Sequence, residues 1–227
     1  MTALERTGHR AKRPPSRMHG IICERYAKMV EERKFVLPRF NASGVLPPFV
    51  GENPGMERNL ASPYETTMTG FVEQFGVSQP RRQILRRLLA YRAELRNVGI
   101  TTGFQMVDGS FVEDCERLRG RPPSDLDVVT FSHLPVPPHQ VAAFAQQNAG
   151  LFDHDAVKAA YSCDSFFIDL TKDARYVVAD TMYWYGLFSH QRDTFMWKGL
   201  VTVPLISDDA DARAALDAME ATNAQET

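Results

Sequence analysis

The stretch FQMVDGSFVEDCERLRGRPPSDLDVVTF, residues 104–131, holds two apolar runs separated by a polar connection. The first run leads into a turn at Gly109 and Ser110, and the second begins with the sequence Asp-Leu-Asp. Because side chains alternate between the two faces of a strand, we expect Asp125 and Asp127 to project side by side. Neighbouring carboxylates repel each other. The pair therefore needs either a bound cation or stabilising contacts with other side chains.

The composition is that of one ordinary folded domain. The chain has 227 residues, 44% of them hydrophobic, and a net charge of -2, which gives no global argument for binding nucleic acid or a membrane. Cys23, Cys115 and Cys163 form no Cys-x-x-Cys pair, which argues against a disulfide framework and a structural zinc site. No apolar run reaches the roughly 18 residues typical of a transmembrane helix. We therefore expect a cytoplasmic protein without a membrane partner.

Both ends of the chain differ from its middle. Residues 1–17 are basic and contain few apolar side chains, which predicts a flexible tail, either a phosphate-contacting arm or a solvated leader. Residues 207–227 are rich in acidic residues and alanine, which predicts an acidic C-terminal tail with a surface helix that frays. We expect a single domain over residues 18–206, with a helical extension at residues 21–33.

The middle of the chain predicts an α/β (α+β) fold, with a small mixed sheet and flanking helices. One helix is expected over residues 62–76, with Ser62 as its cap and Pro63 in its first turn. Helices follow at 79–99, 138–148 and 153–161, and strands at 104–107, 127–131, 165–170 and 200–205. Six arginines between residues 81 and 96 form either a polyanion groove or, as is more common, a solvated helix face.

A glycine-serine turn followed by paired carboxylates is typical of phosphoryl or nucleotidyl transfer. Glycine allows a phosphate to approach the backbone of Gly109, and the Ser110 hydroxyl can donate to it. Carboxylates on adjoining strands can hold two Mg²⁺ ions. Asp164 and Asp169 lie in the strand that follows, and Asp169 fits a strand better as the third ligand. The alternative is structural, with Asp125 capping a turn and Asp127 paired with an arginine such as Arg121.

These motifs resemble those of the nucleotidyltransferase superfamily related to DNA polymerase β. The superfamily shares Gly-Ser, then Asp-x-Asp on a strand, then a third acid on a later strand, here Gly109-Ser110, Asp125 with Asp127, and Asp169. More narrowly, the chain is similar to a family of small bacterial proteins of this superfamily. The shared pieces are the Gly-x-Leu-Pro-Pro sequence at 44–48, a Thr-rich helix, an Arg-rich helix, "GSF", "SDLDVV" and a late Lys-Gly at 198–199.

The resemblance covers roughly residues 40–205 and implies a polymerase β-like fold, with Mg²⁺ as cofactor and a nucleoside triphosphate as substrate. It implies transfer of a nucleotide to a hydroxyl group on a protein, a tRNA or another nucleotide. Asp125, Asp127 and Asp169 would ligate the metal, and Gly109 and Ser110 would bind the triphosphate. Related families occur in toxin–antitoxin and anti-phage systems, so a protein partner encoded nearby is also expected.

Other polar clusters remain ambiguous from the sequence. Arg192 and Lys198 either meet the triphosphate or form salt bridges on a surface loop. Asp153 or Asp155 is expected to cap a helix rather than to bind a metal. The aromatic residues in DTMYWYGLF, residues 180–188, either stack on a base or belong to the core.

Two functions of different class are consistent with the sequence. The first is a Mg²⁺-dependent nucleotidyltransferase, favoured because three acids are present. The second is a catalytically inactive binding module of the same fold, an antitoxin-like or scaffold partner. Asp108, beside the expected phosphate turn, favours the second because its charge would repel a triphosphate.

Overall fold

The computed structural model describes residues 37–53 and 55–225. The chain divides into a unit of Met1–Lys34 and a unit of Phe35–Thr227. The first unit lies outside the described residues, as do the basic tail expected over residues 1–17 and the helix expected over residues 21–33. The sheet and its helices all belong to the second unit.

Five strands form one mixed sheet, in the spatial order β1, β5, β2, β3, β4. Strand β2 runs antiparallel to both β3 and β5, whereas β4 is parallel to β3 and β1 is parallel to β5. The expected mixed α/β class is therefore confirmed, and the four expected strands match β2 to β5 within two residues at each end. The strands are β1 Tyr64–Glu65, β2 Gly103–Asp108, β3 Leu126–Ser132, β4 Cys163–Asp169 and β5 Val201–Pro204.

Eight α-helices accompany the sheet in the described part of the chain. They are α1 Met68–Phe75, α2 Gln79–Asn97, α3 Cys115–Arg119, α4 Val141–Gln147, α5 Ala149–Phe152, α6 His154–Tyr161, α7 Ala174–Phe188 and α8 Asp209–Gln225. Asp153 caps α6, because its side chain accepts a hydrogen bond from the Ala156 backbone at 2.8 Å. Within residues 37–53 and 55–225, no helix has both the length and the apolar character needed to cross a membrane.

The first helix begins later than the sequence predicted. Residues Tyr64–Glu65 form strand β1 beside β5, so Ser62 and Pro63 do not start a helix. Helix α1 starts at Met68, where the Thr67 side chain accepts a hydrogen bond from the Gly70 backbone. Both threonine and serine are good cap residues, so the local pattern did not distinguish the two starts.

The two faces of the sheet bury different side chains. On one face, Val107 and Val128 pack in the main core with apolar residues of α1, α2, α6 and α8. On the other face, Met106 and Val129 pack with Phe188 at the end of α7. Because side chains alternate along a strand, Asp108 and Asp127 lie on the same face as Met106 and Val129. The acidic residues are therefore on the side of the sheet that α7 covers.

Three of the six arginines of helix α2 face the interior instead of forming a solvated face or a polyanion groove. Arg81, Arg82 and Arg92 are buried. The Arg81 guanidinium donates to the backbone oxygens of Phe111 and Glu113 at 2.7 and 2.6 Å. Guanidinium groups can be buried where several acceptors surround them, and helix α2 uses them to hold the segment after β2.

The acidic C-terminal segment is part of the domain, which corrects the boundary expected at residue 206. Helix α8 places Ala212 and Leu216 in the main core. At its first residue, Asp209 is bonded to the fully buried Arg92 at 2.8 Å and to Arg96 at 2.5 Å. The high alanine and acid content suggested a tail, but three buried positions are enough to dock one face of a helix.

The pair of Asp209 and Arg92 should be a large term in stability. We expect Asp209→Ala to lower the free energy of unfolding by about 3–5 kcal/mol, because it leaves a buried guanidinium without its carboxylate. Asp217, on the same helix, pairs with Arg86 at the surface, where its side chain is 64% exposed. Asp217→Ala should therefore cost less than about 1 kcal/mol. Urea unfolding of both variants measures the difference, and equal losses would contradict the docking of α8 through Asp209.

Candidate functional site

Three carboxylates line up across the sheet where β2 ends and where β3 and β4 begin. Asp108 is paired directly with Asp127 in the antiparallel register, and Asp127 is paired directly with Asp164 in the parallel register. Directly paired residues project from the same face of a sheet. Asp125, just before β3, adds a fourth carboxylate, so the structure brings together the two aspartates that the sequence singled out.

A lysine ammonium group lies between two of these carboxylates. Lys158 Nζ is 2.7 Å from Asp164 Oδ2 and 3.1 Å from Asp125 Oδ2. Hydrogen bonds to Asp164 and Asp125 raise the pKa of Lys158, so the ammonium is charged. His154 also approaches the cluster, with its Nε2 atom 2.7 Å from Asp164 Oδ1. Helix α6 thus supplies a cation that partly offsets the repulsion among the acids.

Of the four carboxylates, Asp127 is the one whose negative charge is least offset by a lysine in contact with it. Burial raises its pKa to about 6, and the nearby charges of Asp164 and Asp125 add to the effect. Lys198 and Arg192 act in the opposite direction. A carboxylate in this environment gains from any additional positive charge that reaches it.

The backbone after β2 comes unusually close to Asp127. Gly109 has φ of +79°, and a β-carbon at this position would lie 1.7 Å from Asp127 Oδ2. Glycine is therefore required both by the backbone conformation and by the space. Gly109 and Ser110 are partly exposed, so the turn and the carboxylates share one surface, as the sequence predicted.

Lys198 does not lie at the surface. Its side chain is 2% exposed, and Nζ contacts Asp108 Oδ2 at 3.0 Å, Glu113 Oε1 at 2.9 Å and the Gly109 backbone oxygen at 3.1 Å. Burial alone would lower the pKa of Lys198, but Asp108 and Glu113 outweigh it and raise the pKa. Lys198 therefore forms salt bridges, which is one of the two alternatives from the sequence, but it does so in the interior and not on a surface loop.

Asp108 is affected by the same buried cluster. Burial raises its pKa to about 7, and Lys198 offsets only part of this increase. Its Oδ1 atom is buried without a hydrogen-bond partner. The group is enclosed against Lys198, so it is not the exposed negative charge beside the turn that the sequence suggested.

Arg192 remains available at the surface. It is exposed on the loop after α7, and its charge lowers the pKa of Asp127. The neighbouring Gln191 is buried and donates to Glu113 Oε2 at 2.9 Å, which anchors the loop to the segment after β2. The Gln191 anchor thus holds the loop that carries Arg192 close enough for the guanidinium charge to act on Asp127.

The structure does not bring Asp169 to this site. In the parallel register Asp169 is opposite Ser132, five residues further along β4 than Asp164. Five residues of strand cover about 16 Å, and an odd number places the side chain on the other face. Asp169 instead accepts hydrogen bonds from the backbone and the hydroxyl of Thr171, both at 2.8 Å, and shapes the turn after β4. Asp164 is the acid that the sheet places beside Asp127.

Carboxylate oxygens are suitable ligands for a hard divalent cation, but these side chains are not arranged around a single ion position. Within the ranges that the structure describes, no group of three or more His, Cys, Asp or Glu side chains is arranged to hold a metal ion. Lys158 occupies the space between Asp125 and Asp164. Sequence reasoning missed Lys158 and Glu113, for which the sequence offered no motif, whereas Asp164 was signalled by its place at the start of its strand.

The reassignment of Lys198 can be tested through stability. We expect Lys198→Met to lower the free energy of unfolding by about 3–5 kcal/mol, because Asp108 and Glu113 are left buried without their shared cation. Arg192→Met, at an exposed position in the same loop region, should change stability by less than about 0.5 kcal/mol. Thermal and urea unfolding give both values. A Lys198→Met protein as stable as the wild type would show that the ammonium is not needed inside the fold.

Comparison with known proteins identifies one family. Residues 38–204 match the model of a family of unknown function, DUF6932. The match spans the sheet, the carboxylate cluster and helices α1 to α7. No curated protein and no solved structure matches the chain.

Proposed function

Because the chain belongs to the DUF6932 family, whose description assigns no activity, we propose a function from the site: a Mg²⁺-dependent nucleotidyltransferase. It would transfer a nucleotide from a nucleoside triphosphate to a hydroxyl group of a protein, a tRNA or another nucleotide, breaking the bond between the α- and β-phosphates and releasing pyrophosphate. The observation that carries the proposal is the position of Asp125, Asp127 and Asp164 beside the turn at Gly109 and Ser110. A polymerase β-like arrangement of the sheet is part of the same proposal.

The carboxylates offer the type of ligand that a magnesium site uses, once Lys158 leaves the space between Asp125 and Asp164. Mg²⁺ prefers oxygen ligands and is commonly bound through one or two carboxylates together with substrate phosphates. Asp125, Asp127 and Asp164 would hold it, with Asp164 in the role that sequence reasoning assigned to Asp169. When bound, Mg²⁺ would neutralise charge on the phosphates and favour attack by the acceptor hydroxyl.

The protein's own residues would position the triphosphate. The turn at Gly109 brings backbone and the Ser110 hydroxyl to the surface next to the carboxylates, and such turns can donate to phosphate oxygens. Arg192, exposed and near Asp127, offers a guanidinium fork for the same anion. Lys198 would act as a positioning residue, since it holds the Gly109 backbone oxygen and the Asp108 carboxylate.

A second function is favoured by one contact. Lys158 already forms salt bridges with Asp125 and Asp164. If that pairing persists in solution, the fold serves as an inactive binding module, a scaffold or antitoxin-like partner of another protein. The two functions differ in whether the cluster exchanges its lysine for a divalent cation.

Nucleotide binding tests the proposed site. We expect calorimetry to show Mg²⁺-dependent binding of at least one of the four nucleoside triphosphates by the wild type. Binding should be lost in Asp125→Ala/Asp127→Ala and in Asp164→Ala, because the metal loses its carboxylate ligands. Asp169→Ala is the matched control and should bind as the wild type does, since Asp169 lies at the other end of β4.

The binding results distinguish the two candidates for the third acid and the two proposed functions. Loss of binding in Asp169→Ala but not in Asp164→Ala would contradict the assignment of the third acid. Absence of binding by the wild type, in a sample that unfolds cooperatively, would contradict the stand-alone enzyme and favour the binding module.

The lysine within the cluster gives an independent prediction. Without metal, Lys158→Met should be less stable than the wild type, because three acids are left facing one another. It should also bind Mn²⁺, a spectroscopic substitute for Mg²⁺, about tenfold more tightly, because the cation that competes for Asp125 and Asp164 is removed. Electron paramagnetic resonance titration measures the free Mn²⁺ without requiring activity.

Lys172→Met is the control for this experiment. Lys172 is as exposed as Lys158, at 41% against 43%, and pairs with a single carboxylate, Asp180. It should leave Mn²⁺ binding unchanged. Equal affinities in the wild type and Lys158→Met would show that the lysine does not compete with a metal for this cluster.

A further inference from the structure

Helix α7 exposes an apolar surface that no part of the described fold covers. Its inner side packs on the sheet through residues such as Trp184, whose ring centroid is 4.2 Å from that of Phe166, and Phe188. Its outer side carries five large apolar side chains that are each more than half exposed. They are Tyr176 at 53%, Val178 at 56%, Met182 at 70%, Tyr183 at 63% and Leu187 at 54%.

These side chains form one continuous surface. At 100° per residue they lie, together with Ala179 and Gly186, on about half of the helix circumference. We call this set the outer face of α7. Arg175 also lies on it, in the first turn, where the guanidinium stacks on the Tyr176 ring at 4.6 Å. A helix that is apolar on both sides is normally buried on both sides.

The outer face is large enough for a protein interface. A fully buried aromatic side chain removes about 150–250 Å² from water, so the exposed portions of these five side chains amount to roughly 500–600 Å². A standard interface takes about 800 Å² from each partner. Two copies packed through this face would bury roughly 1,000–1,200 Å² in total, and a biological interface is expected to pass about 1,000 Å². The available surface is therefore close to what a stable dimer needs.

We propose that the outer face of α7 is the dimer interface of this protein, packed against α7 of a second copy. The proposal is independent of the nucleotidyltransferase function. A two-fold interface uses the same patch on both copies, so the patch must be complementary to itself. The outer face meets this condition because it combines large side chains with small ones and carries little charge that would select a different partner.

The sequence of α7 also indicates the orientation of the two helices. If they are antiparallel about an axis between Met182 and Tyr183, each Met182 meets a Tyr183 and each Ala179 meets a Gly186. Methionine sulfur packs favourably against aromatic rings. Small residues on either side of that centre would allow the two helix backbones to approach closely.

Analytical ultracentrifugation of the full chain at micromolar concentrations tests the interface. The wild type should sediment as a species of twice the 25.6 kDa chain mass. Met182→Glu should be monomeric, because it places two charges at the centre of an apolar contact. Met56→Glu is the control, since Met56 is 88% exposed and lies outside α7, and it should remain dimeric.

A second variant separates loss of the interface from loss of the fold. A β-carbon at Gly186 meets no atom within 4 Å in the single chain, so Gly186→Leu fits the monomer and favours the helix. It should be monomeric without a lower thermal midpoint at high dilution. A wild type that stays monomeric at micromolar concentrations, or a Met182→Glu protein that stays dimeric, would overturn the proposal.

Discussion

The buried ammonium group of Lys198 connects the segments that form one wall of the candidate site. It contacts Asp108 at the end of β2, Glu113 beyond the turn and the backbone oxygen of Gly109. Lys198 is far from these groups in sequence, and neither carboxylate would remain buried without a cation. The position of Gly109 therefore depends on Lys198, a residue that does not reach the surface. The space beside the Asp127 carboxylate depends on it in turn. Lys198 is best understood as part of the scaffold that positions the site.

A site made of like charges must be stabilised by the rest of the fold. Parallel pairing of β3 and β4 places Asp127 directly beside Asp164, and the antiparallel pairing of β2 places Asp108 on the other side. Burial and mutual repulsion raise the pKa of Asp127 to about 6. The fold offsets these costs with two lysines from different elements, one buried and one partly exposed. That difference in exposure suggests different roles, since Lys158 can leave the cluster by a change of rotamer and Lys198 cannot.

Sequence reasoning predicted the features that depend on short-range patterns and missed those that depend on strand direction or distant contacts. The strands β2 to β5 and the association of Gly109 with Asp127 follow from apolar periodicity and turn chemistry. Asp169 was assigned as the third acid because its apolar neighbours suit a strand, but two parallel strands begin at the same edge, so the acid at the start of β4 meets Asp127. Arg92 and Asp209 are 117 residues apart, so no local pattern could predict their buried pair.

The contact between Gly109 and Asp127 has a consequence for the interpretation of natural and engineered variants. Because residue 109 has no side chain, the Asp127 oxygen can occupy the space that a β-carbon would otherwise fill. Alanine there would push that oxygen aside while leaving the charge, the hydrogen-bonding groups and the number of carboxylates unchanged. Gly109→Ala therefore allows the geometry of the cluster to be altered while every one of its acids is kept.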